Sequence, residues 1–309
     1  MHHVEVTSTR RAVEPRPGEA LLPLPAAPME VKRRPSWLHQ LLRQRLALTG
    51  LCLVAFFVLV AIVGGWLAPY SFSAQHVRDR LQPPSGTYLL GTDEFGRDLL
   101  SRLLFGAGIS FQVGLISVGI SGISGVLLGL IAGYTGGWLD AILTLCMDVL
   151  LAFPAVLLAI AIAAMLGSSL PNVMLAIGIV TTPTFMRVVR GSTLSLRKAQ
   201  FVEAAISLGA PTNRVLSRHI FPNLTASLIV LASLNFAFAV LTEASLAFLG
   251  LGNKPPSPSW GSMVSSSYGF LETAPWPTLF PGLAIALAVL GFNLLGDGLR
   301  DALDPRLRF

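Results

Sequence analysis

Five stretches of this chain carry no charged side chain: residues 46–77, 103–139, 149–186, 219–242 and 273–296. A helix crossing the hydrocarbon layer of a bilayer, about 30 Å thick, takes about 20 residues, and every run is at least that long. Charged residues make up 12% of the 309-residue chain and hydrophobic ones 53%, against the roughly 25% charge of an ordinary soluble domain. That deficit excludes a soluble globular enzyme and an intrinsically disordered chain together. A water-facing surface cannot be assembled from so few charges, whereas a lipid-facing one can.

The runs resolve into six predicted spans, at about 46–67, 107–134, 141–166, 171–189, 224–248 and 278–299. The third run holds two of them, separated by the polar breaker Gly167-Ser168-Ser169-Leu170-Pro171-Asn172. This reading accepts Asp148 inside span three and Arg187 at the end of span four, where a long side chain can snorkel to the interface. Five spans, with the fourth re-entrant, is the alternative. Pro154 and Pro183 are expected to kink their helices. Residues 1–35 are rich in Pro, Ala and Glu and read as a disordered tail. A segment 36–106 then carries the first helix and an external stretch, and 107–309 forms a five-helix core.

The net charge of +6 is distributed unevenly. Residues 1–45 hold eight Lys or Arg, and the loop 187–222 holds six against the single acid Glu203. The segment 70–106 balances four basic against four acidic residues, and 249–277 sets Lys254 against Glu272. Basic residues stay on the cytoplasmic side, so six spans place both termini and the 187–222 loop there. The surplus is a topology signal and not a nucleic-acid footprint.

Common catalytic constellations are missing from the sequence. The three lysines (Lys32, Lys198, Lys254) close no phosphate loop, the five histidines are scattered, and Cys52 and Cys146 lie inside apolar runs. No metal, cofactor or catalytic group is expected on this chain, so energy for any driven process must come from another subunit or an ion gradient.

The most informative segment lies within the basic loop. Gln200-Phe201-Val202-Glu203-Ala204-Ala205-Ile206-Ser207-Leu208 predicts a short amphipathic helix over about 199–208, stopped by Gly209 and Pro211. Phe201, Ala205 and Leu208 share one face with the small Ala204 beside them, and Glu203 offers a partner one carboxylate. A second helix, about 212–220, is expected to break at Pro222. The plain alternative is a solvated linker with one helical turn.

Glu203-Ala204-Ala205, three residues, Gly209, and Pro222 thirteen residues later resemble the EAA loop of ABC importer permeases. The match departs in detail, with His219 in the slot usually held by Ile and Phe221 where Leu is usual. Two other segments, Gly91-Thr92-Asp93-Glu94-Phe95-Gly96-Arg97-Asp98 and Glu243-Ala244-Ser245-Leu246-Ala247-Phe248-Leu249-Gly250-Leu251-Gly252, are similar to the C-type permease of dipeptide, oligopeptide and nickel importers. The Pro-rich stretch ending in Trp260 and the C-terminal Asn293–Pro305 motif extend the likeness over about residues 36–309. The resemblance implies a type I ABC importer permease fold in an inner membrane, with residues 191–222 as the loop that couples to an ATPase through Phe201, Glu203, Ala204, Ala205, Leu208 and Gly209. It also implies partners: a sister permease, two ATPase subunits or a fused pair carrying ATP and Mg, and an external substrate-binding protein.

Several residues keep two readings. Asp148 and Glu243 are costly in lipid and either line a translocation path or pair internally. They are also the relays that a stand-alone proton-coupled carrier would use. Arg97 can pair with Asp93 or Asp98 to pin the external loop, or meet a substrate-delivering protein. Trp260 is either an external gate or an interfacial anchor. The stripe Gly125, Gly129, Gly133 packs either within this chain or against a sister subunit.

Overall fold

The computed structural model describes residues 44–303. The expected tail 1–35 and the last residues of the C-terminal motif lie outside that range. All regular structure among the described residues is helical, apart from one isolated bridge between Thr92 and Asp98. Helix α1 is Arg45–Leu67, α2 Leu99–Thr135, α3 Gly137–Leu151, α4 Ala155–Leu166 and α5 Leu170–Arg197. The short α6 is Gln200–Ser207, followed by α7 over Thr212–Phe248, α8 at Trp260–Ser267 and α9 at Trp276–Leu303. Five of these, α1, α2, α5, α7 and α9, are long and apolar enough to cross a membrane, and a sixth span exists if α3 and α4 are taken together.

The expected continuous helix 141–166 is instead two helices meeting at 93°. Pro154 explains the corner. Its ring excludes a helical turn in front of it and its nitrogen carries no proton, so α3 stops and α4 starts immediately after the proline. Pro183, in contrast, lies inside an unbroken α5. The breaker at 167–172 is present: Gly167 takes φ +94° and the Ser169 hydroxyl accepts from the Asn172 amide.

The predicted break at Pro222 is absent, and α7 runs through it for 37 residues. The first turns differ from an α-helix. Val215–Ile220 form a π-turn, in which the Phe221 amide donates five residues back to Leu216. The wider turn leaves room for the proline ring, and Pro222 costs the helix one backbone hydrogen bond without ending it.

Small residues set the helix contacts. A Cβ on Gly125 would lie 2.4 Å from Phe185 Cβ, one on Gly129 2.7 Å from the Met186 carbonyl oxygen, and one on Gly133 2.8 Å from the Arg190 carbonyl oxygen. The glycine stripe of α2 therefore packs within the chain, against α5. At its other end α9 touches α1 the same way, with a Gly298 Cβ falling 2.3 Å from Ala47 Cβ and a Gly50 Cβ 2.5 Å from the Leu295 nitrogen. Between these seams Phe236 stacks on Phe292 with ring centroids 3.9 Å apart. Leu46, Phe56, Leu59, Ile62 and Trp66 of α1 stay exposed, as a helix wetted by lipid requires.

Helix α2 begins earlier than the hydropathy implies, at Leu99, because Asp98 caps it by accepting from the Ser101 amide and hydroxyl. The stretch before it, 68–98, is folded without long helices. Amides of Leu81 and Thr92 bond the carbonyls of Asp93 and Gln82, and the Tyr88 hydroxyl donates to Asp79 at 3.0 Å.

Candidate functional site

Helix α6 is eight residues long, one turn shorter than could hold itself together in water, so its position must come from packing. The anchor is Val202, with 0% exposure, which enters a cluster with Val189 of α5 and with Val215, Ile220 and Leu224 of α7. Ala205 is half-buried beside it. Gly209 closes the helix at φ +78°, and the Ala210 amide reaches back to the Ala205 carbonyl at 3.0 Å, the six-to-one bond of a Schellman turn. Phe201, Glu203, Ala204 and Leu208 point away from the chain, and Leu208 is 89% exposed. The sequence pattern had placed Phe201 and Leu208 on one face with Ala205, and both do stand outward. It missed Val202, whose burial is set by helices that are distant in sequence.

The basic residues around α6 are mostly exposed, and Arg197 ties the end of α5 to the end of α2 by donating to the Tyr134 carbonyl at 2.7 Å. Helix α3 is held to α5 by two acid–arginine pairs. Arg190 reaches Asp140 with both Nε and NH2, the latter at 2.7 Å, and Arg187 NH2 meets Asp148 at 2.9 Å. The second pair is open, its side chains 51% exposed at Asp148 and 65% at Arg187. These pairs explain why α5 continues past two arginines: each charge has a partner instead of lipid.

Glu243 lies in the last turns of α7 and is 1% exposed. Neither of its carboxylate oxygens has a hydrogen-bond partner among the described residues. Helix α8 crosses directly over this position, since a Cβ on Gly261 would fall 2.5 Å from Ala244 Cα. Trp260, which opens α8, is 4% exposed, stacks edge-on against Phe57 at 5.6 Å and donates from Nε1 to the Leu103 carbonyl at 3.0 Å. It binds α8 to α1 and α2 from the inside.

On the stretch that leads into α2, four charged residues form a buried network. Arg97 Nε pairs with Asp93 at 2.6 Å, and its NH2 lies 3.4 Å from Glu94. Arg102 Nε approaches Asp93 at 3.4 Å and NH1 donates to the Phe72 carbonyl at 2.9 Å. Of the two partners open to Arg97, the chain uses Asp93, and Asp98 serves as the helix cap. Burial pushes the Glu94 carboxyl above the ordinary glutamate range, with its own backbone hydrogen bond and the two arginines opposing. Next to this network a cleft of about 400 Å³ opens between the 93–98 turn and the loop after α7.

An all-helical bundle that carries a small seated helix with an outward apolar face is the frame of a membrane permease subunit. Residues 125–309 match the family described as binding-protein-dependent transport system inner membrane component, and residues 36–84 match the N-terminal transmembrane domain of oligopeptide transport permease C. The chain belongs to this family of transport permeases and is a multi-pass inner-membrane protein. It is 48% identical to the dipeptide transport system permease protein of Alkalihalophilus pseudofirmus over 269 residues, 87% of this chain and 88% of the relative. It is 44% identical to a glutathione transport system permease protein of Pectobacterium atrosepticum, covering 87% and 90% of the two chains. A di/tripeptide transport system permease protein of Pseudomonas aeruginosa is 46% identical, over 85% and 88%.

Proposed function

We propose that this chain is one permease subunit of an ATP-driven ABC importer for dipeptides, oligopeptides or a related small solute. It forms half of the translocation path beside a sister permease and receives solute from an external binding protein. It spans the membrane six times, the α3–α4 pair counting as one bent span, with both termini cytoplasmic. The basic residues of the 187–222 loop support that orientation. Transport systems for dipeptides, di- and tripeptides and glutathione among its relatives support the solute class.

The observation that carries the reading is the seat of α6. A short helix fixed by one buried valine, with Phe201, Ala204 and Leu208 outward and Glu203 among them, is suited to a groove on an ATPase subunit. Two such subunits, or a fused pair, would hold ATP and Mg, and this chain would hold neither. Closure of the ATPases loads α6. The load passes through Val202 to Val189 and Val215, and so into α5 and α7 together. Because α2 is locked to α5 along its glycine stripe, it follows. The open Asp148–Arg187 pair supports a place for Asp148 on the path, since two half-exposed charges at that depth are far less costly facing water than lipid.

Reversing the charge at Glu203 tests the coupling. In the reconstituted complex, Glu203→Arg is expected to leave insertion and pairing with the sister subunit intact while lowering solute-stimulated ATP turnover by about tenfold or more. Turnover equal to wild type would remove Glu203 from the mechanism.

A further inference from the structure

The external cleft has a composition that packing alone does not explain. Glu94 lines it and is 8% exposed, yet its Oε2 has no hydrogen-bond partner among the described residues. A carboxylate oxygen withdrawn from water without a partner is destabilising, and the usual reason it persists is that something else fills the position. The neighbouring acid, Asp93, is saturated: Oδ1 accepts from the amides of Phe95 and Arg97, and Oδ2 faces Arg97 and Arg102. Lys254, on the loop after α7, lines the same cleft, is exposed and makes no ion pair among the described residues. Phe95, Asn253, Pro255, Pro256 and several serines complete the lining, together with Arg97 and Arg102, whose charges are already engaged by Asp93 and Glu94.

We infer that this cleft is an external subsite for a zwitterionic peptide of two or three residues, its terminal ammonium accepted by Glu94 and its carboxylate met by Lys254. The inference rests on the peptide-import reading above and adds to it a place where the solute is held before it reaches the membrane-spanning path. The volume lies near the small end of ligand pockets, roughly 300–1,000 Å³, which suits a short peptide and not a folded partner. One free carboxylate oxygen matches one ammonium. No group of three acidic, His or Cys side chains fit for a metal ion exists among the described residues, which argues against a bare cation. The ring of Phe95 and the two prolines offer an apolar wall to short side chains while leaving both charged ends to the polar groups.

The test uses the assembled importer in nanodiscs, without its binding protein, and reads binding of dialanine, N-acetyl-dialanine and dialanine amide by saturation-transfer NMR. Wild type is expected to bind dialanine about tenfold or more tightly than the acetylated probe, as a charge-assisted hydrogen bond implies. Glu94→Gln should abolish that preference, and Lys254→Gln should weaken dialanine but not its amide. Wild-type complex that fails to distinguish the probes, or an assembled Glu94→Gln complex that keeps the preference, overturns the subsite. Should Glu94→Gln disturb assembly, Lys254→Gln decides alone, because that side chain is exposed and unpaired, and unchanged dialanine binding sinks the proposal. ATP-driven uptake of dialanine by wild-type proteoliposomes with the binding protein tests the import reading separately. Uptake with both variants unaltered would remove only the subsite, and probe discrimination without uptake would remove only peptide import.

Discussion

A single buried valine decides which face of α6 turns inward. The helical spacing of Phe201, Ala205 and Leu208 marks one apolar face, and Val202 with Ile206 marks another, so an eight-residue helix offers two candidates for its inside. Sequence alone cannot rank them, since the cavity that accepts Val202 is built by residues of α5 and α7. Charge pairs follow the same rule: the partners of Asp140 and Asp148 stand 50 and 39 positions away. Single residues whose role is local were easier to read. Gly209 and the 167–172 breaker act on the backbone within a few positions of themselves, and turn chemistry announces them, whereas the sequence offers Asp98 to Arg97 and gives no sign of the cap it makes. Glu94 carries a pH prediction. Its carboxyl is raised by burial and by Asp93, against its own backbone hydrogen bond and Arg97 and Arg102, while Lys254 lines the same cleft. Only the ionised form can accept an ammonium fully, so dialanine affinity is expected to fall on acidification at a pH above the ordinary glutamate range. For stability the sign is opposite: an acid whose folded pKa is raised favours folding as it takes up its proton, so the fold gains from protonating Glu94. A pH series of dialanine binding beside thermal unfolding checks both.

At the scale of elements, the charge-free runs marked every long helix, because hydrocarbon demands length and apolarity whatever the packing. They did not mark direction. Apolar residues continue on both sides of the corner between α3 and α4, so hydropathy passes through a 93° bend without a signal, and only Pro154 hints at it. Ends were also displaced. Helix α5 outlasts its apolar run because Asp140 and Asp148 meet its arginines, and α2 starts early because Asp98 caps it. The Asp140–Arg190 pair is expected to hold α3 in place. Asp140→Ala should destabilise the chain by about 1–3 kcal/mol through the lost charge-assisted hydrogen bonds. The exchange Asp140→Arg with Arg190→Asp should recover part of that loss. A double-mutant cycle on thermal unfolding in detergent measures the coupling, and strictly additive losses would show the pair to be idle.

The molecule as a whole is a bundle with much of its apolar surface still uncovered. Leu115, Ile123, Leu127, Leu157, Ile229 and Leu279 are exposed on four different helices, more than a lone globular chain tolerates. Lipid can satisfy part of this, and a second permease subunit the remainder. Gentle purification of the tagged chain from native membranes is expected to recover a second multi-span protein and ATPases with phosphate loops, identified by mass spectrometry. Reproducible recovery of a folded, monodisperse chain alone would count against the importer assembly.

The π-turn at Val215–Ile220 means that α7 contains one residue more than its hydrogen-bond ladder requires. Such a surplus is a rotational gauge: removing one residue advances an α-helix by roughly 1.5 Å and turns it about 100°. Deleting Ser217 should let the turn relax to an ordinary α-turn. Because the residue removed is the surplus one, the membrane faces of α7 and the seat of Val202 at its start would both keep their bearing. Insertion, subunit pairing and transport-linked ATP turnover are therefore expected to survive that deletion. The same deletion at Ala226, where the ladder has nothing to spare, would rotate one end of the transmembrane bundle against the other and prevent assembly.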